Sequence, residues 1–131
     1  MSNATVLADT NIWISYFRAN EYSDTLVELF ESDRLVINDV ILAELIPALN
    51  LSKNQKTISH LRKLKRLPVF VNWEGIIEAQ TKCLSKGING IGLPDLMIAQ
   101  SAVECSVSIF TNDKNLRNSS DFLNFKLFDP Q

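Results

Sequence analysis

Short apolar runs, separated by longer stretches with helical spacing, account for most of this 131-residue chain. Residues 4–8 (ATVLA), 34–38 (RLVIN) and 107–111 (VSIFT) are predicted as buried strands, because brief continuous apolar runs are typical of parallel sheets. Residues 69–71 (VFV) are predicted as a further short strand, and residues 125–128 (FKLF) as an edge strand. Strands are therefore expected along the whole length of the chain.

Helices are predicted between these runs, where apolar residues recur every three or four positions. They comprise a helix carrying Ile12, Trp13, Tyr16 and Phe17, one from about Ser23 to Phe30, one after Asn38 or Asp39, one along the basic stretch up to Pro68, one from Trp73 towards Gly87, and one from Asp95 to about Glu104. Asp9, Thr10 and Asn11 offer N-cap chemistry for the first. Pro47 is expected to kink the third or end its regular part, because proline lacks a backbone donor.

Alternating strands and helices imply right-handed crossovers and a mostly parallel sheet. We therefore expect an α/β fold: a single domain over residues 1–131, with a central, mostly parallel sheet flanked by helices on both faces. Ligands of such sheets bind beyond the carboxyl ends of the strands. Asp9 and Asp113 each lie just past a predicted strand end, so the architecture alone predicts that both occupy this edge.

The composition, 46% hydrophobic and 21% charged, is typical of a globular protein that buries its own core. No apolar run approaches the ~20 residues needed to span a membrane. The N-terminal sequence lacks the basic and apolar regions of a secretory signal. Cys83 and Cys105 are not clustered, which suggests reduced thiols rather than a disulfide framework. We expect a cytoplasmic protein without a membrane partner.

The first residues, SNA after the initial Met, resemble a remnant of protein expression. Residues 1–3 are therefore left out of the reasoning about the fold. No repeat, linker or low-complexity segment interrupts the remaining sequence, so one domain is the simplest interpretation.

The net charge of −2 and the pI near 5.3 do not favour nucleic-acid binding by global attraction. The distribution of charge is uneven, however. From Lys53 to Arg66 the chain reads KNQKTISHLRKLKR, with six Lys or Arg and no acid. This stretch predicts either a local phosphate-binding surface or an ordinary solvated helix face, and its sequence alone does not separate the two.

Acidic residues adjoin strongly apolar segments at four distant positions: Asp9, Glu44, Asp95 and Asp113. Each has an ordinary structural explanation. Glu44 could pair with a lysine, Asp9 and Asp95 could cap helices, and Asp113 could form an Asx-turn. Glu44 lies within VILAELIPAL and is expected to be at least partly buried. Together, the four positions are predicted to fall at one edge of the sheet or on helices that border it.

A shared acidic pocket favours a bound cation. Two carboxylates about 5 Å apart repel by about 3 kcal/mol at an effective dielectric constant of about 20. Four of them cannot all remain ionised at neutral pH unless pKa values rise or a metal binds. An all-oxygen set suits Mg²⁺ or Mn²⁺. His60 is the only histidine and is expected on the surface of the basic helix, so a zinc site is poorly supported.

The sequence resembles the PIN-domain nucleases, and among them the compact VapC-type ribonuclease toxins of toxin–antitoxin pairs. The matching segments are LADTNIWISYF, VILAELIPAL, GLPDLMIAQSA and SIFTNDKNL, which cover nearly the whole chain in order and spacing. The last two together are fairly specific, whereas the opening DTN alone would be weak. By this resemblance the metal-binding catalytic acids are Asp9, Glu44, Asp95 and Asp113, and the supporting polar residues are Asn11 and Thr111.

The resemblance implies Mg²⁺-dependent hydrolysis of an RNA phosphodiester, in which the metal activates water and stabilises developing charge. Glu44 or Asp95 holds metal-bound water or acts as the base, and the number of metals is open. The residues predicted to attract RNA are Lys53, Lys56, Arg62, Lys63, Arg66 and Lys114. The sequence departs from the family in two respects: Pro47 follows Glu44 closely and is expected to tilt it, and the basic stretch is not a family signature.

Toxins of this kind are usually inhibited by a small antitoxin whose C-terminal segment lies in a groove and covers the acidic site. The residues predicted to line part of that groove are Trp13, Tyr16, Phe17, Leu26 and Phe30, and core packing is the alternative role for at least half of them. The resemblance also implies a homodimer, without indicating its interface.

Two other functions are compatible with this architecture. A PIN-like module could bind RNA or protein without cutting, although a pure binder has no reason to keep four repelling acids. A phosphoacceptor domain would carry an acceptor Asp at the end of a central strand, where RLVIN is followed by Asp39. Asp39 is better explained as a helix cap.

Overall fold

A computed structural model describes residues 4–130; the interpretation of residues 1–3 lies outside the described range. The strands are β1 (Val6–Ala8), β2 (Leu35–Ile37), β3 (Lys65–Arg66), β4 (Ser108–Phe110) and β5 (Lys126–Leu127). The helices are α1 (Thr10–Ala19), α2 (Ser23–Glu31), α3 (Asp39–Leu51), α4 (Gln55–Lys63), α5 (Trp73–Ser85), α6 (Leu93–Cys105) and α7 (Lys114–Leu123).

The strands form one five-stranded sheet in the order β3-β2-β1-β4-β5, and every pairing in it is parallel. The three central strands are buried along their whole length, which explains their continuous apolar sequences. β1 lies at the centre, with Leu7 opposite Val36 on one side and Ile109 on the other. The predicted α/β fold is confirmed, and the carboxyl ends of all five strands meet at one edge.

Helices cover the sheet in two groups. The chain moves from β1 to β3 in one direction across the sheet and then from β4 to β5 in the other. Right-handed crossovers place α1 to α4 on one face and α5 to α7 on the opposite face. The contacts agree, because α3 packs against α1 and α4, whereas α5 packs against α6 and α7. The packing of α3 against α6 joins the two groups.

The core is divided in the same way. Its main part surrounds the central strands and includes the fully buried residues Leu7, Ile37 and Ile109. A smaller cluster under α5 contains Ile76, Cys83, Ile91 and Leu96. Both cysteines are unpaired, as expected, although only Cys83 is buried, and its burial raises the pKa of that thiol.

Two predictions about the strands and helices were wrong. Residues 69–71 do not form a strand, and Phe70 is exposed. The strand in this part of the chain is instead β3, the two residues Lys65 and Arg66. The basic helix therefore ends at Lys63 instead of reaching Pro68. Helix α7 was not predicted at all, because its sequence KNLRNSSDFL is mostly polar. The edge strand expected near residues 125–128 is confirmed as β5.

Helix α3 continues through Pro47 to Leu51, so the expectation that the proline would end the regular helix was wrong, whereas the expected kink stays a prediction. Proline costs one internal hydrogen bond, and burial of the face formed by Ile41, Leu42 and Leu45 offsets that loss. No helix of the described residues is both long enough and apolar enough to cross a bilayer.

Candidate active site

Asp9 occupies the centre of the carboxyl edge, immediately after β1, and is only 2% exposed. Its backbone caps α1 in an extended conformation, and its Oδ1 accepts a hydrogen bond from the Thr10 amide at 2.8 Å. Its Oδ2 accepts a second bond from the Thr111 hydroxyl at 2.9 Å. A buried carboxylate is thus held by one donor from its own helix and one from the neighbouring strand end.

Thr111 links Asp9 to Asp113. β4 lies beside β1 with Phe110 opposite Ala8, so Thr111 and Asp9 leave the sheet side by side. The Thr111 hydroxyl donates to Asp9 and accepts the Asp113 amide at 3.0 Å. Asp113 in turn caps α7, and its Oδ1 accepts the Leu116 amide at 3.1 Å. The TND sequence is therefore a connected hydrogen-bonded turn at the sheet edge.

Glu44 reaches the same edge from α3. Its Oε1 accepts a hydrogen bond of 2.7 Å from the hydroxyl of Thr10, the first residue of α1. Glu44 is nevertheless exposed, contrary to the expectation of partial burial. The buried stripe of α3 runs through Ile41, Leu42 and Leu45, and Glu44 lies outside this stripe.

Asp95 is the third residue of α6 and is partly buried. Its Oδ2 accepts the Gly92 amide at 3.4 Å, which satisfies one of the unpaired donors at the helix start. The proline at the second position of this helix suits a helix start. The packing of α6 against α3 brings this start towards Glu44.

The four carboxylates form one electrostatic cluster. Burial raises the pKa of Asp9 to about 6, with further increases from the charges of Asp95 and Glu44, while the hydrogen bonds from Thr111 and Thr10 oppose the shift. Burial also raises the pKa of Asp95, again with the neighbouring charges of Asp113 and Glu44, against the Gly92 hydrogen bond. Each acid therefore interacts with at least one other, although they come from distant parts of the chain.

No basic side chain neutralises this cluster within residues 4–130. The ion pairs there join Arg66 to Asp39, Lys82 to Glu78 and Arg117 to Asp129. The lysine partner considered for Glu44 is therefore not observed. The capping roles considered for Asp9 and Asp95 are present, and Asp113, considered for an Asx-turn, is the N-cap of α7. Each carboxylate keeps free acceptor positions after capping, because its two oxygens together offer about four.

The donor set suits a hard cation, since it consists of carboxylate oxygens supported by hydroxyls. Across residues 4–130, no three acidic, His or Cys side chains are arranged closely enough to enclose a single ion. The carboxylates repel one another across the cluster, while each accepts a hydrogen bond from a separate donor. The residues fit a divalent cation in the chemistry of their donor atoms.

The other residues predicted for the site are distributed unevenly. Asn11 is exposed, and its side chain makes no hydrogen bond within the described range; the donor to Glu44 is instead its neighbour Thr10. Lys114 directly follows Asp113 as the first residue of α7 and is exposed. Arg66 lies at the carboxyl end of β3, two strands from Asp9, and forms a 3.3 Å ion pair with Asp39.

The basic helix α4 is exposed along most of its length, including His60, as expected. Lys53 precedes the helix in the α3–α4 turn and has a positive φ of 58°. Arg62 and Lys63 lie in its last turn, where cations complement the helix dipole. These side chains are on the same face of the sheet as α3, but none forms an ion pair with the acids of the cluster.

The structure also decides which residue caps α3. Asn38 is the N-cap, and its Oδ1 accepts the Ile41 amide at 3.0 Å. Asp39 is the first helical residue, with a side chain that is 71% exposed and paired with Arg66. The helix-cap explanation for Asp39 was therefore wrong by one position, and its surface ion pair gives it no phosphoacceptor environment.

An apolar groove of about 640 Å³ lies between α1, α2 and α4. All five residues predicted for such a groove line it: Trp13, Tyr16, Phe17, Leu26 and Phe30. Trp13 and Leu26 are also core residues, whereas Phe17 and Phe30 are 36% and 63% exposed. Trp13 and Leu26 therefore pack in the core as well as line the groove, whereas Phe17 and Phe30 line the groove with much of their surface exposed.

The α4 side of this groove is lined by two polar and two apolar side chains. Thr57, His60, Leu61 and Leu64 line it. Lys56 and Lys63 do not line the groove, but both are exposed on α4, one helical turn from the lining residue His60. The groove is thus mainly apolar, with two exposed lysines on the helix that forms one of its sides.

Sequence reasoning missed three residues that shape the site. Thr10 was assigned only to helix capping, yet its hydroxyl holds Glu44. Arg117 donates to the Thr111 carbonyl at 3.1 Å and pairs with Asp129, which fixes the turn before Asp113. Asn38 is fully buried next to the cluster. For Thr10 alone the sequence contained an indication, because Thr10 lies between the two predicted site residues Asp9 and Asn11.

These features define a single-domain α/β protein with an acidic cluster at the carboxyl edge of a parallel sheet. The family model described as PIN domain matches residues 6–120, and this chain belongs to the PIN domain family. The resemblance noted from the sequence is thereby confirmed. No curated protein matches the chain in sequence.

Several solved structures share this fold. VapBC2 from Rickettsia felis, bound to a DNA fragment from their promoter, aligns with a TM-score of 0.71 at 20% identity over 95% of this chain and 97% of that chain. FitAcB from Neisseria gonorrhoeae aligns at 0.69 with 17% identity over 95% and 97%. DNA-bound VapBC from Salmonella typhimurium aligns at 0.66 with 24% identity over 96% and 98%. At these identities the likeness establishes the fold.

Proposed function

We propose that this chain is a Mg²⁺- or Mn²⁺-dependent endoribonuclease, a VapC-type toxin of a type II toxin–antitoxin pair that acts in the cytoplasm. The observation that carries the proposal is the buried Asp9, coupled electrostatically to Glu44 and Asp95 without a neutralising basic side chain within residues 4–130. The likeness to several VapBC complexes supports the same function.

Asp9, Glu44, Asp95 and Asp113 would hold the cation, and Thr10 and Thr111 would orient two of these carboxylates through the observed hydrogen bonds. When bound, the cation supplies charge stabilisation on phosphate and an activated water. The Thr111 hydroxyl and the Thr10 amide donate to the Asp9 carboxylate and so oppose the rise of its pKa. Glu44 or Asp95 accepts the proton of the attacking water. Asn11, at the exposed start of α1, supports the substrate or its water shell.

RNA must approach a negatively charged pocket, so nearby cations are needed to offset the repulsion. Lys114 borders Asp113 and is the most direct candidate for a phosphate contact. Arg66 lies on the same sheet edge. The remaining cations of the basic stretch attract RNA from further away; they are Lys53, Lys56, Arg62 and Lys63.

The apolar groove is the proposed binding site for the antitoxin segment. An amphipathic helix can place its apolar side against Phe17 and Phe30, which are otherwise exposed to water. Acidic residues on that helix would pair with Lys56 and Lys63, which are exposed on α4 one helical turn from the lining residue His60. The antitoxin would then compete with RNA for the same cations, so inhibition would not require contact with every acid of the cluster.

The decisive experiment compares cleavage of a labelled RNA by the wild-type protein and by the variants Asp95→Asn and Asp9→Asn, with Mg²⁺ and with excess EDTA. Loss of a residue that merely supports a metal ligand costs about 10- to 100-fold, so loss of a ligand should cost more than about 100-fold. Asp121→Asn, on the exposed side of α7, makes the same change away from the cluster and should retain full activity.

Full activity in either variant, or in EDTA, would overturn the proposal. RNA or protein binding without any metal-dependent turnover would instead establish the alternative, a non-catalytic PIN-like module. Its specific support is that each carboxylate already serves a structural hydrogen bond. We further propose a homodimer, to be tested by sedimentation equilibrium across a range of protein concentrations.

A further inference from the structure

Asn38 stands in the same position relative to β2 as Asp9 does relative to β1. The two strands are parallel neighbours with Leu7 opposite Val36, and continuing this register by two residues places Asn38 opposite Asp9. Both residues are N-caps, of α3 and α1 respectively, and these two helices pack together. Parallel neighbouring strands lie about 4.8 Å apart, so the two side chains share one small region of the sheet edge.

The Asn38 side chain is completely buried, and both N–H donors of its amide are unused. Its Oδ1 accepts the Ile41 amide at 3.0 Å, and its Nδ2 has no partner. This orientation of the amide is fixed, because only the oxygen can accept a bond from an N–H group. A buried donor without a partner is costly, and most buried polar groups avoid this state.

Helix capping alone does not explain an asparagine here. Aspartate and serine cap helices about as well, and neither would bury an amide group. Two other helices show the contrast: Asn54 caps α4 and Asn72 caps α5 through the same type of bond, but both are exposed, so water can satisfy their amides. Among the three unpartnered buried polar atoms of the described residues, the others belong to Trp13 and Ser101, within α1 and α6.

The strand register places Asp9 directly beside this amide. Its carboxylate accepts bonds from Thr10 and Thr111 and retains further acceptor positions. With the Asn38 amide as a third donor, the Asp9 carboxylate would accept a hydrogen bond from a residue beyond each of the two strands that flank β1. Thr111 already plays the equivalent part from β4.

We propose that Asn38 is a positioning residue of the acidic cluster, whose Nδ2 donates a hydrogen bond to the Asp9 carboxylate when a divalent cation binds. This inference rests on the proposed function, since it concerns the same site. It adds a residue that touches neither RNA nor the cation and acts through Asp9. The Asn38 amide, which has no partner among the described residues, would then gain one when the cation binds.

The direct test is ¹H–¹⁵N NMR of the side-chain amides of the full chain during titration with Mg²⁺, without RNA. The expected result is a downfield shift of one Asn38 amide proton that saturates together with the backbone amide shifts of Asp9 and Asp95. The amide of Asn72, which caps a remote helix, should not move and serves as the internal control.

A variant extends the test to turnover. Asn38→Ser retains a cap acceptor for Ile41 and shortens the side chain so that it no longer reaches Asp9. We expect kcat to fall about 10-fold with KM within about twofold, and the Mg²⁺ concentration for half-maximal activity to rise about 10-fold, as for other residues that orient metal ligands. Asn72→Ser makes the same cap exchange elsewhere and should change none of these values.

The outcomes separate the two proposals. If backbone signals of Asp9 and Asp95 shift with Mg²⁺ while the Asn38 amide does not, the positioning role is overturned and the metal site stands. If no signal of the cluster shifts and wild-type protein does not cleave RNA, the proposed function itself fails. If Asn38→Ser does not fold, the titration of the wild-type protein still decides the question.

Discussion

The acidic cluster and the apolar groove depart from an ordinary folded surface in opposite ways. At the cluster, the charged group of Asp9 is buried at 2% exposure. At the groove, Phe30 is left 63% exposed. Buried charge and exposed apolar area both reduce the stability or solubility of an isolated chain, and both are rarer than their opposites.

The difference between them is how each region is built. The acids are held by strand ends, helix caps and short hydrogen bonds, so their positions follow from the backbone. The groove is formed by side chains on three helices and has few polar contacts of its own. The cluster is therefore suited to a small ligand with fixed geometry, whereas the groove is suited to an adaptable apolar segment of a partner.

The largest expected effect concerns the cost of burying Asp9. Its pKa is raised from 3.8 to about 6 on folding, so the folded state holds the proton more tightly than the unfolded state. The free energy of unfolding should therefore fall as pH rises from about 4 to above 6, by about 3 kcal/mol from this group. Asp9→Asn should remove that decrease.

Urea unfolding of both proteins in EDTA, at pH 4 and pH 7.5, measures this difference. The variant should gain stability relative to wild type only at the higher pH. If the two proteins differ in free energy of unfolding by the same amount at both pH values, burial of the Asp9 charge has no cost. The acidic cluster would then not differ from an ordinary surface in the way described.

The second prediction addresses the groove. Phe30→Asp places a charge on an exposed apolar position and should weaken binding of the proposed antitoxin by about 30-fold, the loss typical of a central apolar contact. RNA cleavage should not change, because Phe30 lies outside the acidic cluster.

Isothermal titration calorimetry with the separately purified partner gives this value. Leu51→Asp is the matched control, since Leu51 is 88% exposed but does not line the groove. A similar loss in both variants would indicate a general effect of added charge rather than a defined binding site.

The third prediction sharpens the description of the cluster. Thr111→Val removes the donor to Asp9 at nearly constant volume, so the pKa of Asp9 should rise above its present value of about 6. The acid side of the pH–rate profile should move to higher pH, and cleavage at pH 7 should fall about 10-fold. Thr81→Val, whose hydroxyl donates to the Ile77 carbonyl on α5, should leave the profile in place.

The smallest expected effect belongs to Lys114. Lys114→Gln should weaken RNA binding only a few-fold and reduce the dependence of log K on log salt by about 0.7, the contribution of one phosphate contact to a single strand. Fluorescence anisotropy in EDTA at several salt concentrations tests this. Lys126→Gln, on the edge strand β5, should not alter the slope.

The positions of Asp9 and Asp113 at the carboxyl edge of the sheet could be predicted, because each acid closely follows a strand and all strands of a parallel sheet end at the same edge. The exposure of Glu44 could not. Its helical neighbours Ile41 and Ala48 suggested a buried face, but the buried stripe includes Leu42 and Leu45 and is centred away from Glu44. A local pattern identifies the helix more readily than it identifies which side the tertiary packing covers.

The two missed elements have different physical causes. α7 is polar in sequence, and its start depends on the Asp113 cap and its anchorage on Leu116. β3 consists of Lys65 and Arg66, which are exposed, and it is a strand only because its backbone pairs with β2. Side-chain periodicity carries no signal for a strand defined by main-chain bonds at the edge of a sheet.

The pairing of β1 with β4 has a consequence for the protein during its synthesis. Asp9 and its hydrogen-bond partner Thr111 are 102 positions apart, so the second is translated about 5 to 20 seconds after the first at typical ribosomal rates. The carboxyl edge cannot be complete before Thr111 has left the ribosome. Whatever reaction this edge supports can begin only after that point.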